Sequence, residues 1–172
     1  MVKFKNYIFL LFLALLFNLN ANAQIDKTFW FAAPNITSNH VNDHPIRFRL
    51  INLSATNIAT VSFSQPANNL FSLASGGISL TIGSSTITLT SNSFDIPANS
   101  VATLTFDATG KTKIECSGPV SPNDGISNFG ILIQSSELLS GYYEVNGGSN
   151  DDLFSLKGLN GLGTRFLITS QL

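Results

Sequence analysis

The sequence predicts an all-β protein: an antiparallel β-sandwich of about ten to eleven short strands, preceded by a signal peptide. Three observations carry this expectation. β-Branched and aromatic residues alternate with polar ones over many short segments. Ser, Thr and Asn make up about a third of residues 24–172, and strong helix formers are scarce there. No segment keeps an i, i+3, i+4, i+7 apolar spacing over three turns, which an amphipathic helix needs.

Residues 1–23 read as a secretory leader. Lys3 and Lys5 supply its positive start, and residues 7–17 are an unbroken apolar run of 11. A bilayer span needs about 20 such residues, so this run is too short to cross. Asn18 and Asn20 break the run, and Ala21-Asn22-Ala23 offers a small-x-small cleavage site before Gln24. No Cys follows the run to carry a lipid anchor, and no second long apolar run occurs. The chain is therefore expected to be exported, to the cell surface or beyond, with no membrane span in residues 24–172.

The strands follow in order. In 46–50, Ile46, Phe48 and Leu50 share one face, with Arg47 and Arg49 on the other. Ala59, Val61 and Phe63 repeat the pattern. Residues 72–85 read as a loop and hairpin, with Ile78, Leu80 and Ile82 alternating before a Ser84-Ser85 turn toward Ile87 and Leu89. Phe94 and Ile96 precede a Pro97-Ala98-Asn99 turn, and Ala102, Leu104 and Phe106 follow it. Thr112, Ile114 and Cys116 alternate with Lys111, Lys113 and Glu115, which predicts a further strand. The nearly continuous apolar run 129–133 predicts a central strand covered on both faces. Ser135-Ser136-Glu137 reads as a link into a second strand over 138–145, making a hairpin. The cluster at 146–151 is a strong turn signal before a strand at 153–157, and Gly158, Gly161 and Gly163 separate that strand from Phe166-Leu167-Ile168.

Charge and cysteine content remove whole classes of function. Nine Lys and Arg stand against ten Asp and Glu; with Lys3 and Lys5 in the leader, residues 24–172 are net acidic. An electrostatic nucleic-acid binder needs a basic face, which such a balance does not supply. A single Cys cannot form a disulfide within the chain. About 150 residues can bury roughly 70% of their unfolded surface, enough for one core. Residues 24–172 are thus expected to be one β-sandwich domain.

The C-terminal third carries a family resemblance. Asn128-Phe129-Gly130-Ile131-Leu132-Ile133-Gln134-Ser135-Ser136 is followed by Gly141-Tyr142-Tyr143-Glu144-Val145. Then come Asn150-Asp151-Asp152-Leu153-Phe154-Ser155-Leu156-Lys157-Gly158 and the stretch from Leu159 to Phe166. Lys27-Thr28-Phe29-Trp30-Phe31-Ala32 fits the same pattern near the front. Together these segments resemble the N-terminal region of large exported surface proteins of Bacteroidetes, associated with gliding motility and type IX secretion. They are similar to the IgG-Fc-binding protein N-terminal domain. The resemblance implies a surface-protein module acting in adhesion or scaffolding, the front part of something larger. It brings no catalytic residues.

The residues themselves offer a few candidate sites. Trp30, Tyr142 and Tyr143 are the aromatics able to stack on a ligand such as a sugar, against the alternative of core packing. Phe29 and Phe31 oppose Trp30 on their strand, and Tyr142 opposes Tyr143, so one tyrosine is expected inside and one outside. Asn150, Asp151 and Asp152, beside Gly147 and Gly148, offer oxygen ligands of the kind calcium takes, against the alternative of a hairpin turn. His40, Asp43 and His44 could ligate zinc, but Pro45 and the surrounding Asn and Asp favour a polar turn. Glu144 with Asp151 or Asp152 could be imagined as a carboxylate pair for glycoside hydrolysis, and nothing in the sequence sets their separation. No Gly-x-Ser-x-Gly elbow and no phosphate-binding glycine loop occurs. The expected function is non-catalytic recognition of a surface protein or glycan; a carbohydrate-binding accessory module is the alternative, and a secreted hydrolase is a weaker third. No cofactor is expected beyond calcium.

Overall fold

The computed structural model describes residues 24–33, 45–115, 129–146 and 151–158. The leader (1–23), His40, Asp43, His44, Cys116, Asn150 and the expected strand at 166–168 lie outside the described residues. Nine strands are described: β1 (Ile25–Phe31), β2 (Ile46–Asn52), β3 (Ala59–Ser64), β4 (Ile78–Ile82), β5 (Ser85–Ile87), β6 (Ser93–Ile96), β7 (Val101–Phe106), β8 (Ile131–Asn146) and β9 (Asp151–Ser155). One helical turn, α1 (Ala108–Lys111), lies between β7 and β8. Every pairing is antiparallel, and all nine strands join one curled sheet, a half-barrel, in the order β5-β4-β7-β2-β8-β3-β6 with β1 and β9 also on β8.

The two-residue period sets the faces as the sequence predicts. Ile46, Phe48 and Leu50 are buried while Arg47 and Arg49 face outward. Ala59, Val61 and Phe63, then Ala102, Leu104 and Phe106, line the same interior. Register makes the hairpin loop between β4 and β5 Gly83-Ser84, one residue earlier than expected, since Ile82 pairs with Ser85. Gly83 has φ of 59°, which a two-residue hairpin turn requires at its first central position.

β8 organises the sheet. β1 and β2 both pair with its residues 139 and 140, so they occupy opposite edges; β1 and β3 both pair with 132–134, so they too are opposed. β2 and β3 therefore share one edge of β8, end to end, and each starts a separate branch. One branch runs β2-β7-β4-β5 and the other β3-β6. The hand-over falls at Ser136-Glu137-Leu138. There β8 takes five steps, from Leu139 to Gln134, where β1 takes two, from Asp26 to Thr28. Polar groups hold the irregular stretch: Lys27 Nζ donates to the Ser136 carbonyl, the Thr60 amide to Ser136 Oγ at 3.0 Å, and Asn57 Nδ2 to Glu137 Oε1 at 3.0 Å.

This corrects the expected hairpin between 129–133 and 138–145. The two segments are one 16-residue strand. The Ser-Ser-Glu signal is real, but it marks a change of partner within a strand and not a reversal of the chain. The expectation that both faces of 129–133 are covered also changes: Ile131 and Ile133 are buried, Leu132 only partly so. The strand is central in hydrogen bonding, with a neighbour on each edge.

The expected strand at 111–116 is likewise replaced. Asp107 caps α1, its Oδ1 accepting from the Thr109 and Gly110 amides at 2.8 and 3.0 Å. Residues 112–115 continue as turns. Ile114 is buried as foreseen, but so is Glu115, which strict alternation places outside. The Glu115 carboxylate lies 3.4 Å from Lys111 Nζ and 3.4 Å from the Tyr143 hydroxyl.

Phe48 sits at the centre of the core. Its ring centroid is 5.6 Å from Phe31, 5.5 Å from Phe63, 5.7 Å from Phe106 and 5.2 Å from Tyr143, all at steep interplanar angles. Such edge-on pairs add about 0.5–1.5 kcal/mol each beyond area burial. The Phe48–Phe63 contact joins the two branches across the interior, and Phe63 continues to Phe94 of β6 at 6.0 Å.

Candidate functional site

The curled sheet turns its odd-numbered β8 residues inward, so the even-numbered ones form an outer face. Register aligns this face across strands. Glu144 of β8 stands opposite Arg47 of β2 and Leu153 of β9; Tyr142 stands opposite Arg49 and Ser155. Arg49 is also opposite Thr103 of β7, which is opposite Thr81 of β4. Directly opposed residues point to the same side of an antiparallel sheet, so these groups share one surface.

Glu144 lies between the two arginines. Arg47 Nη1 donates to its Oε1 at 2.8 Å and Arg49 Nε to its Oε2 at 2.5 Å. The Glu144 side chain is 19% exposed and that of Arg49 43%. The hydrogen bond from Arg49 holds the Glu144 carboxyl below its ordinary range; burial opposes this, and the contact with Arg47 adds to it. The Glu144 hydrogen bond in turn raises Arg49. The sequence suggests Glu144 as one of a carboxylate pair with Asp151 or Asp152, whereas its partners are Arg47 and Arg49. The available signal was a single outward acid on an apolar strand together with a strand bearing two outward arginines.

The consequence for pH has a definite sign. A carboxyl whose folded value is lowered binds fewer protons than in the unfolded chain, so its contribution is complete above the ordinary glutamate value of 4.5. It fades as pH falls below that value and through the lowered folded one. Glu144→Gln is expected to cost about 1–2 kcal/mol at pH 7 and much less in strong acid. Thermal unfolding of both proteins at pH 7 and pH 3 checks this; a gap that is equal at the two pH values would refute the ion-pair account.

Beside the triad lies an open groove of about 360 Å³, lined by Arg49, Tyr142, Glu144, Asn146, Asp152 and Leu153 among others. Tyr142 is partly exposed, Asp152 exposed, and Leu153 63% exposed. On the far side of Arg49 a second open groove of about 510 Å³ is lined by Thr81, Gly83, Asn99, Ser100, Val101 and Thr103.

The structure separates the aromatic candidates. Trp30 is 47% exposed on the outer face, opposite Leu132. Tyr142 is ten residues further along β8, roughly 30 Å of extended chain, so Trp30 and Tyr142 do not form one platform. Tyr143 is fully buried against Phe31 and Phe48 and is a core residue with no surface for a ligand. Of the calcium candidates, Asp152 reaches the lip of the groove; Asp151 is described in its backbone alone, opposite Asn146. Among the described residues no group of three or more His, Cys, Asp or Glu is placed to hold a metal. No helix among the described residues is long and apolar enough to cross a membrane.

Compared with protein-family models, with curated proteins and with solved structures, the chain matches none.

Proposed function

We propose that this protein is an exported, non-catalytic recognition module of the cell surface, serving in adhesion or scaffolding, and that it binds through the groove beside Tyr142. The groove carries the reading: a partly exposed aromatic ring, an arginine with free surface and an exposed leucine meet in one open concavity. This mixture of apolar body and oriented polar groups is what recognition sites use. The leader pattern at 1–23 supports export, and the resemblance of 27–32 and 128–166 to Bacteroidetes surface proteins supports a surface role as part of a larger protein. The two branches, β2-β7-β4-β5 and β3-β6, act as the layers of a sandwich-like domain, with the Phe48–Phe63 contact between them. Such a body holds the outer face of β8 and β2 rigid.

A carbohydrate-binding accessory module is the second reading, and the pairing of Tyr142 with Arg49 and Glu144 on one surface favours it. Both readings put binding at Tyr142 and not at Trp30. Tyr142→Ala is expected to weaken binding of the full chain to the producing cell's envelope about tenfold, with its melting temperature little changed. Trp30→Ala is expected to bind as the parent does. Equal binding by the parent and Tyr142→Ala proteins would remove the groove from the function.

A further inference from the structure

We propose that the ligand of this outer face is an acidic saccharide, a uronate whose carboxylate is held by Arg49 where the two grooves meet. This rests on reading the Tyr142 groove as a recognition site, and it names the class of ligand.

The first support is the state of Arg49. Its Nε is taken by Glu144, and its terminal nitrogens have no partner among the described residues. A guanidinium has five N–H donors in a fixed fork, so engagement of Nε leaves an edge able to take a second carboxylate through two parallel bonds. Arg49 lines both grooves, and its side chain is 43% exposed on the binding face.

The second support is charge. Arg47 and Arg49 share the one carboxylate of Glu144, leaving this cluster net positive by one. Among the described residues, the groove on the Thr103 side has no acidic lining group, and Arg49 is its one charged residue. Asp152 lies on the opposite side, at the β9 lip. An incoming anion is therefore directed to the Thr103 side of Arg49.

The third support is the shape and chemistry of the surface. The two grooves run across β9, β8, β2, β7 and β4, four inter-strand steps or roughly 19 Å. That is room for several linked rings and more than a single small anion fills. Thr103, whose hydroxyl has no hydrogen-bond partner among the described residues, stands beside Thr81 and Ser100. Tyr142, at the other end, offers an apolar ring face to the apolar face of a sugar. A row of hydroxyls, a guanidinium and one aromatic ring match a polyol bearing one carboxylate better than they match an apolar peptide.

The test uses the full chain and oligosaccharides carrying a single glucuronate or galacturonate, each compared with its own methyl ester. The ester keeps every ring and hydroxyl and removes the charge. The acid is expected to bind at least about tenfold more tightly than the ester. In the parent protein, the NMR signals of Arg49, Thr81, Thr103 and Tyr142 are expected to move with saturation. Arg49→Lys keeps the charge and loses the fork; it is expected to bind acid and ester nearly alike. The NMR shifts of the parent decide the site even if that variant folds poorly. Equal binding of acid and ester, no binding of any acid probe, or shifts confined to another face would each overturn the uronate assignment. If that happens while Tyr142→Ala still loses envelope binding, the recognition site stands and only its ligand class falls. If Tyr142→Ala keeps envelope binding, the recognition reading falls, whatever the saccharides do.

Discussion

Replacing Asn52 by Asp is expected to cost about 3–5 kcal/mol at neutral pH, a large share of the roughly 5–15 kcal/mol that holds a domain folded. Asn52 ends β2 and is fully buried. The two hydrogens of its Nδ2 are shared among three carbonyls: Asn57 at 2.8 Å, Ile96 at 3.0 Å and Pro97 at 3.1 Å. Its Oδ1 accepts from the Ser54 amide at 3.0 Å. One side chain thus ties the end of β2 to the loop before β3 and to the turn between β6 and β7. An aspartate has the same shape, but when ionised it has no donor. It would aim a buried charge at three carbonyl oxygens. The cost is expected to shrink in acid, because burial and the facing carbonyls raise the folded-state value of the new carboxyl. The penalty therefore grows as pH rises above the ordinary aspartate value and is complete above the raised folded one, and protonation in acid restores one donor. Urea unfolding at pH 7 and pH 4 measures both parts. Asn52→Leu should be unstable too, by about 2–4 kcal/mol, and show no such pH dependence. An Asn52→Asp protein as stable as its parent at pH 7 would mean that these carbonyls find other donors, and the corner would need a different account.

The second large effect is expected at Gly110. In an ordinary exposed helix, Gly→Ala stabilises by about 1 kcal/mol. Here the sign should reverse, with a loss of about 2–3 kcal/mol. A Cβ at Gly110 would stand 2.2 Å from the Gly77 carbonyl oxygen and 3.0 Å from its carbon. Both are backbone atoms, so no flexible side chain can yield. The same Gly77 carbonyl accepts the Asp107 amide at 2.9 Å, which fixes α1 against the start of β4. Gly77 itself has φ of 89°, and a Cβ there would meet Gly110 N at 2.5 Å. The two glycines allow one backbone to lie on another. Differential scanning calorimetry of Gly110→Ala decides the matter by sign alone: a melting temperature above that of the parent would show that the contact is loose.

How much of this was legible in the residues differs from element to element. Alternation in 46–50 correctly separated Phe48 from Arg47 and Arg49, and adjacency alone divided Tyr142 from Tyr143. Residues 111–116 misled because a two-residue alternation over six positions is also compatible with a capped turn. The overlooked signal was Asp107, an N-cap residue type placed just before Ala108-Thr109-Gly110. The link at 135–137 misled because Ser and Glu interrupt an apolar run in the same way whether a strand ends or changes neighbours.

The sequence by itself sorted each extended segment into two faces, because the two-residue period is a property of the segment and needs no partner. It also determined the all-β class of the fold. Only the tertiary structure decided that one 16-residue strand feeds two branches, that Trp30 and Tyr142 lie far apart, and that Glu144 sits between Arg47 and Arg49. Those outcomes depend on register between strands separated by 95 and 97 residues in the chain. Register is settled by the fit of whole faces against a common core, and no local run of residues contains it.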